Sequence, residues 1–214
     1  MLSIKKVSHA FVLPEGEFFP EAMDFMGTED AALALYPWDE TGYTPEAHAR
    51  VGWNEDGLQV LMYAKEPTTR GTVTEVGGHV CVDSCLEFFF APFPDTDACY
   101  LNCECNVLGT IHIGYGEARR RPDGSRRIVE KELPEGMTIK ASGHYGAWWA
   151  ISYNVPMSFL EKKFGKTLAQ GDVLRGNFYK CDETIHPHFG MWNLVANGTP
   201  DFHRPECFGE MQIV

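Results

Sequence analysis

Acidic and amide side chains recur at alternate positions in two neighbouring stretches of the sequence. In residues 83–90, Glu87 alternates with apolar residues, and in residues 100–106, Asn102 and Glu104 do the same. Because successive side chains of a β-strand point to opposite faces, each stretch predicts one apolar face and one polar face. Carboxylates and amides form directional hydrogen bonds with hydroxyl groups, so the polar faces suit a polyhydroxylated small molecule such as a sugar.

The same two carboxylates allow a catalytic alternative. Glu87 and Glu104 would act as acid and base of a glycoside hydrolase if they flanked a glycosidic bond at about 5 to 9.5 Å. The sequence has no nucleophile elbow, no zinc-protease helix and no phosphate-binding glycine loop to support catalysis of another kind. Binding without bond cleavage is therefore the first hypothesis, and hydrolysis is the second.

Lys180 is a charged residue within a predicted strand over 173–181 whose other residues are mostly uncharged. A half-buried ammonium group requires an acidic partner, because desolvating an unpaired charge is costly. We expect Glu87 or Glu104 to be that partner, which would bring Lys180 to the polar face. The alternative is a lysine that reaches solvent from a sheet edge.

A loop near the C-terminus supplies candidates for the wall of a binding site. Phe202, His203 and Arg204 precede a proline that stiffens the turn, and Trp192 is a further candidate stacking surface. Aromatic rings can cover the C–H patches of a sugar, while imidazole and guanidinium groups bind its oxygens. The alternatives are that Arg204 bridges to an acidic neighbour and that Trp192 fills the core.

Composition limits the classes of partner. The 214 residues carry a formal net charge of -12, which disfavours nucleic acid because binding to phosphates depends on lysine and arginine. No apolar stretch is long enough to cross a membrane, and no signal peptide is visible. We expect a cytoplasmic protein, or an extracellular one if a leader has been removed.

The cysteines favour free thiols over a zinc site. Their number is seven, and Cys103 and Cys105 fall on the predicted apolar face. The paired two-residue spacing of structural zinc sites is absent from both cysteine groups, Cys81/Cys85 and Cys99/Cys103/Cys105.

Short β-branched and aromatic runs between turn signals predict an all-β antiparallel sandwich with an open polar sheet face bordered by aromatic loops. Glycine-containing turns are predicted at 54–57, between strands 47–53 and 58–66, and at 106–109, 119–127 and 143–146. Residues 156–165, with an early proline, an apolar stripe and a final glycine, predict one short helix.

Nothing in the composition indicates an internal boundary, so residues 1–214 are interpreted as a single domain. Residues 1–45 show no sustained period and are interpreted as an irregular N-terminal extension that packs on this domain.

Five motifs in order give the sequence a resemblance to a known family. They are Asn-Glu-Asp-Gly-Leu (54–58), Asp-Ser-Cys-Leu-Glu (83–87), Tyr-Leu-Asn-Cys-Glu-Cys-Asn (100–106), Gly-Asn-Phe-Tyr-Lys-Cys (176–181) and Pro-Asp-Phe-His-Arg-Pro-Glu-Cys-Phe-Gly (200–209). Over residues 45–214 the sequence resembles family 9 carbohydrate-binding modules, most closely the stand-alone family 9-like branch. The resemblance implies a sandwich related to DOMON-type domains that binds a mono- or oligosaccharide without catalysis.

The resemblance implies further properties. In xylanase-attached members, aromatic side chains hold the reducing end of a glycan and calcium is bound structurally. We therefore expect plant or host glycans as ligands, a role in carbohydrate catabolism beside glycoside hydrolases, and calcium as the one cofactor to consider. A DOMON-like sensor or haem carrier is a third hypothesis, which would require an axial His or Met ligand in an apolar pocket.

The sequence also departs from the xylanase-attached pattern. Val80 stands where those modules have one sandwiching tryptophan, and Phe202 stands where they have the other. Glu87 matches the family's acidic residue, whereas Asn102 and Glu104 replace a different polar set. The resemblance therefore does not transfer the sugar specificity.

Overall fold

The computed structural model of the chain describes residues 1–120, 124, 126–143 and 147–214. They form a β-sandwich with one short α-helix, as predicted from the sequence. The strands are β1 (Leu2–Lys6), β2 (Ala31–Ala32), β3 (Ala47–Asn54), β4 (Gly57–Lys65), β5 (Cys85–Ala91), β6 (Tyr100–Asn106), β7 (Ile111–Arg120), β8 (Arg126–Val129), β9 (Ile139–Ser142), β10 (Trp148–Pro156), β11 (Val173–Asp182), β12 (His188–Met191) and β13 (Gly209–Ile213). The helix is α1 (Met157–Phe164), and short 3₁₀ turns cover Pro20–Ala22, Val80–Val82 and Pro205–Cys207.

Two sheets are joined through a single strand. One sheet has the order β8-β7-β6-β5-β11-β13-β1, with β12 paired to β11, and the other has the order β1-β3-β4-β10-β9, with β2 paired to β3. The first half of β1 runs parallel to β13 and its second half runs parallel to β3. The other strand pairs are antiparallel, so the expected antiparallel sandwich has its exceptions at β1.

The N-terminal segment is more regular than the sequence indicated. The interpretation of residues 1–45 as an irregular extension is wrong for Leu2–Lys6, which belong to both sheets. Ile4 is fully buried in the core. A five-residue strand is too short to show a clear period in the sequence. The pairing of its two ends with different sheets is a property of the tertiary fold.

The core lies between the sheets and is formed by the predicted apolar faces. Phe88 stacks on Phe90 and on Phe178, with ring centroids 4.6 and 4.7 Å apart. Cys103 and Cys105 are buried in the same cluster, and all seven cysteines are free. Alternation therefore assigned both the apolar faces and the core thiols correctly.

The first hairpin forms as expected between β3 and β4. Asn54 Oδ1 accepts hydrogen bonds from the backbone N–H groups of Asp56 and Gly57. Gly57 has φ 156°, and a Cβ there would lie 2.1 Å from the Val155 carbonyl oxygen. Only glycine fits this close approach without displacement of β10.

Two of the other predicted turns are flanked by paired strands. Arg120 of β7 pairs with Arg126 of β8 around the turn predicted in 119–127, and β9 pairs with β10 around the turn predicted at 143–146. Residues 121–123, 125 and 144–146 lie outside the described residues, so the turns themselves are not described.

Helix α1 agrees with its prediction. It begins after Pro156, ends before Gly165 with φ 73°, and buries Leu160 against the core. No helix among the described residues has the length and apolarity needed to cross a membrane.

Candidate functional site

A row of polar and aromatic residues crosses the outer face of the first sheet. Glu87 of β5 lies directly opposite Glu104 of β6, with Tyr179 of β11 beside Glu87 and His112 of β7 beside Glu104. These residues share a face because each occupies the alternate position to a core residue of its own strand. The two carboxylates therefore converge from neighbouring strands.

This face is not open, contrary to the prediction. Glu87, Asn102 and Glu104 are only 2%, 1% and 8% exposed. The loop before β13 covers part of the face, because Phe202 stacks on Tyr179 with ring centroids 4.0 Å apart. The remaining access is through hollows beside the loop.

Two adjoining hollows border the carboxylate pair. The first is lined by Cys81, Glu87, Phe89, Glu104, Arg119, Cys181, Glu183, Phe189, Pro200, Asp201, Phe202 and His203. The second is lined by His79, Cys81, Asn102, Glu104, His112, Arg119, Arg120, Arg127, Val129 and His203. Four residues belong to both hollows and lie at the centre of the candidate site, namely Cys81, Glu104, Arg119 and His203. Of the predicted residues, the structure brings together Glu87, Asn102, Glu104, Phe202 and His203.

The carboxylate pair is poorly neutralised. Glu87 Oε1 accepts a hydrogen bond from the Cys181 thiol at 3.0 Å, and Glu104 Oε1 accepts one from Asn102 Nδ2 at 2.7 Å. No lysine or arginine nitrogen in the described part of the chain lies within ion-pair distance of either group. Burial, together with the neighbouring Glu104 charge, raises the pKa of Glu87, and burial raises the pKa of Glu104. The pair therefore tends to retain a proton, which lets it both donate and accept hydrogen bonds.

His203 is held in its neutral form. Burial, followed by the charges of Arg127 and Arg119, lowers the pKa of His203 to about 3. Burial raises the pKa of Tyr100 to about 12, and its hydroxyl lies 2.8 Å from His203 Nδ1. With Tyr100 as the donor, Nδ1 accepts and Nε2 carries the imidazole proton. His203 thus offers an N–H donor to a ligand.

Two buried polar atoms beside the second hollow have no hydrogen-bond partner. They are Asn102 Oδ1 and Arg127 Nε. The other nitrogens of Arg127 donate to the carbonyl groups of Gly116, Ala118 and Tyr100. Buried polar groups are normally satisfied, so the two unpaired atoms favour a polar solute at this position.

Lys180 does not join this face. Its ammonium lies 3.1 Å from Glu66 Oε2 in the interior and donates to the Cys181 carbonyl at 2.9 Å. The expectation that an acid meets Lys180 is confirmed, but the identification of that acid as Glu87 or Glu104 is wrong. Because Tyr179 takes the outer position in β11, the next residue must point inward.

Trp192 and Arg204 also lie apart from the hollows. The Trp192 ring packs on Phe178, on the core side, and against Gly209, where a Cβ would lie 2.6 Å from it. Arg204 Nε lies 2.6 Å from Glu206 Oε1 in a solvent-exposed ion pair. For both residues the structure has the alternative arrangement, core packing for Trp192 and a bridge to an acid for Arg204.

Several residues of the hollows were not predicted. Arg119 Nη1 lies 3.3 Å from Asp201 Oδ1, so a β7 arginine is tied to the covering loop. Trp38, from the segment without a period, lies 5.9 Å from Phe202 between ring centroids and donates to the Asn197 carbonyl. Only the tertiary fold brings these residues together, and no local pattern indicates them.

The residues that correspond to the family tryptophans have different positions. Phe202 lines the first hollow, whereas Val80 is fully buried beside Cys85 and Cys181. Only one of the two positions therefore contributes to the candidate site.

Comparison with protein families identifies the chain. A sequence profile described as carbohydrate-binding family 9 matches residues 17–213. The chain belongs to carbohydrate-binding family 9. The resemblance drawn from the motifs is confirmed, and it extends further towards the N-terminus than those motifs. Family 9 consists of non-catalytic binding modules, which confirms the prediction of a saccharide-binding protein and disfavours the hydrolase hypothesis.

Solved structures support the family 9 fold. A candidate carbohydrate-binding protein from Bacteroides uniformis shares 27% identity, with a TM-score of 0.77 over 100% of this chain and 98% of that chain. A family 9 module from Caldicellulosiruptor kristjanssonii in complex with glucose has 11% identity and a TM-score of 0.62 over 100% and 95% of the chains. A family 9 module from Caldicellulosiruptor kristjanssonii in complex with cellotriose has 11% identity and a TM-score of 0.62 over 99% of this chain and 92% of that chain. The comparison with curated proteins gives no match.

Calcium is implied by the resemblance, and the described His, Cys, Asp and Glu side chains show no cluster of three oxygen ligands for it. In this part of the chain, one group of three potential ligands lies close together, namely Cys85, Glu87 and Cys181. Calcium takes six to eight oxygen ligands, whereas two of these three ligand atoms are sulfur. Calcium binding by this family 9 chain stays a prediction.

Proposed function

We propose that the chain binds a mono- or oligosaccharide in the adjoining hollows around Glu104 and His203. The main support for this proposal is the buried Glu87–Glu104 pair. It has no lysine or arginine partner among the described residues, and it faces an aromatic loop. A site whose buried carboxyl groups lack a positively charged partner gains free energy when hydroxyl groups bind there. An inert structural face would have these groups paired.

Each residue has a distinct role in this proposal. Glu104 accepts hydrogen bonds from sugar hydroxyls, and His203 donates one. Phe202 is fixed against Tyr179 and offers an apolar surface to the C–H groups of a pyranose ring. The combination of directional polar groups and one fixed ring is suited to a single sugar unit.

The proposed ligands are glucose-based or xylose-based saccharides of plant or host glycans. The glucose and cellotriose complexes of the Caldicellulosiruptor module support glucose-based ligands. Xylan fragments are included because the family also contains xylanase-attached modules, although the sequence does not transfer their sugar specificity. A binding protein of this kind would act beside glycoside hydrolases in carbohydrate catabolism.

Titration calorimetry with glucose, cellotriose and xylotriose tests the proposal. Glu104→Gln should weaken binding at least about tenfold, or roughly 1.4 kcal/mol, because the amide cannot reproduce the hydrogen bonds of the carboxyl pair. Melting shifts provide a second measurement, since a saturating ligand at about 100 times its Kd adds about 2.7 kcal/mol to stability.

The matched control is Glu161→Gln, the same chemical change at an exposed position of α1. It should bind as the wild type does. Absence of binding for all three saccharides, or equal affinity of Glu104→Gln and the wild type, would contradict the proposal.

A further inference from the structure

Two cysteines and a glutamate meet at the floor of the first hollow. Cys85 Sγ, Cys181 Sγ and a carboxylate oxygen of Glu87 all lie within 4.8 Å of one another. Within the described ranges, no second group of three such side chains is found. Two sulfurs and one carboxylate oxygen form a ligand set for a thiophilic cation such as Zn²⁺.

The sheet fixes the positions of all three ligands. Cys85 and Glu87 are alternate residues of β5, and Cys181 of β11 pairs directly with Cys85. All three are buried, with exposures of 0%, 2% and 1%. Ligands on paired strands are held more accurately than ligands on loops, so this arrangement is preorganised.

The spacing of the ligand atoms is compatible with a tetrahedral ion. Two sulfurs bound at about 2.3 Å to one zinc ion are about 3.8 Å apart. The observed limit of 4.8 Å therefore requires a movement of only about 1 Å. Rotation of buried side chains within their wells can provide such a movement without a change in the backbone.

An ion can reach this position from the hollow. Glu87 and Cys181 line the hollow, and so does a further thiol, that of Cys81. The backbone carbonyl of Cys81 lies 4.0 Å from Cys181 Sγ, so the 3₁₀ turn that carries Cys81 borders the ligand group. The fourth coordination position would thus face Cys81 and the solvent of the hollow.

The site also has an electrostatic reason to take a cation. Glu87 lies opposite Glu104, and neither has a lysine or arginine partner among the described residues. A divalent ion would supply the missing positive charge and would deprotonate the thiols that it binds. Sequence spacing could not indicate this site, because Cys181 is distant in the chain from the other two ligands.

We propose that Cys85, Glu87 and Cys181 bind one thiophilic divalent cation, best matched by Zn²⁺, at the floor of the hollow. This site is distinct from a calcium site, and its existence does not depend on saccharide binding.

Titration of the reduced, metal-free protein with Co²⁺ tests the proposal. Thiolate coordination should produce an intense charge-transfer absorption that saturates at one equivalent and is removed by Zn²⁺. Cys181→Ser should reduce Co²⁺ affinity by at least about tenfold, and Glu87→Gln should reduce it in the same direction. At a fixed Zn²⁺ concentration, the melting temperature should rise more in the wild type than in either variant.

Cys103→Ser is the matched control, because Cys103 is an equally buried thiol on the core side of β6. It should retain the absorption at unchanged stoichiometry. Absence of the absorption in the wild type, or a Co²⁺ affinity in Cys181→Ser and Glu87→Gln equal to that of the wild type, would overturn the proposal. If Cys181→Ser does not fold, the folded Glu87→Gln variant decides. Calorimetry with saccharides in the presence of a chelator tests the saccharide proposal separately.

Discussion

The inner and outer faces of the β5–β11 pair differ in whether their buried ionisable groups have a partner of opposite charge. On the inner face, Lys180 is paired with Glu66 at 3.1 Å, and Glu66 also accepts the Trp149 indole N–H at 2.8 Å. On the outer face, Glu87 and Glu104 lie opposite each other without a lysine or arginine partner among the described residues. One face balances a buried charge within the chain, and the other places two acids together.

The difference separates a structural network from a candidate site. A buried ion pair with further hydrogen bonds is neutralised within the chain, and removal of one partner leaves an uncompensated buried charge. A buried pair of like groups has a free-energy cost that the isolated chain does not recover, and such costs are concentrated at functional sites. Changes on the inner face should therefore affect folding, whereas changes on the outer face should affect binding.

The largest expected effect is on the inner face. Glu66→Gln removes the carboxylate that neutralises Lys180 and leaves a buried ammonium group without its partner. We expect the free energy of unfolding to fall by about 3–5 kcal/mol. Urea denaturation followed by tryptophan fluorescence measures this change.

A double variant provides the control. In Glu66→Gln/Lys180→Met the unpaired ammonium is absent, so the double variant should lose less stability than the sum of the two single variants. Simple additivity would show that the two side chains do not interact, and the comparison between the faces would fail.

The sequence predicted the faces of the sheets better than it predicted the partners across them. Alternation placed Glu87, Asn102 and Glu104 on one face, because this property depends only on positions within a strand. The partner of Lys180 could not be predicted in this way, since Glu66 directly follows β4 of the opposite sheet. The covering of the face by Phe202 likewise depends on a loop conformation that no local period encodes.

The inner network also predicts a pH dependence of intermediate size. Burial, with the Lys180 charge, lowers the pKa of His188 to about 3, from an ordinary value near 6.5. The unfolded chain therefore takes up a proton below pH 6.5 that the folded chain does not bind, and stability falls as the pH falls towards 3. Between pH 6.5 and pH 5, His188 should account for a loss of roughly 2 kcal/mol.

His188→Gln isolates this contribution. We expect urea denaturation to show a steeper loss of stability between pH 6.5 and pH 5 for the wild type than for the variant. Other titrating groups, His203 included, are common to both proteins and cancel in the difference. Parallel pH profiles would show that His188 is not held neutral in the folded chain.

The smallest expected change in stability is on the outer face, at Glu104→Gln. Burial raises the pKa of Glu104 in the folded state, so its favourable contribution is complete below the unfolded pKa and is lost as the pH rises through the folded pKa. At pH 7 the raised pKa of Glu104 lowers the stability of the folded wild type. A neutral glutamine has no such penalty, so the variant should be at least as stable as the wild type. The difference should disappear near pH 4, where both side chains are uncharged. A loss of stability in Glu104→Gln as large as that in Glu66→Gln would mean that the carboxylate pair is structural, because a group that exists to bind a ligand is not expected to stabilise the unliganded fold.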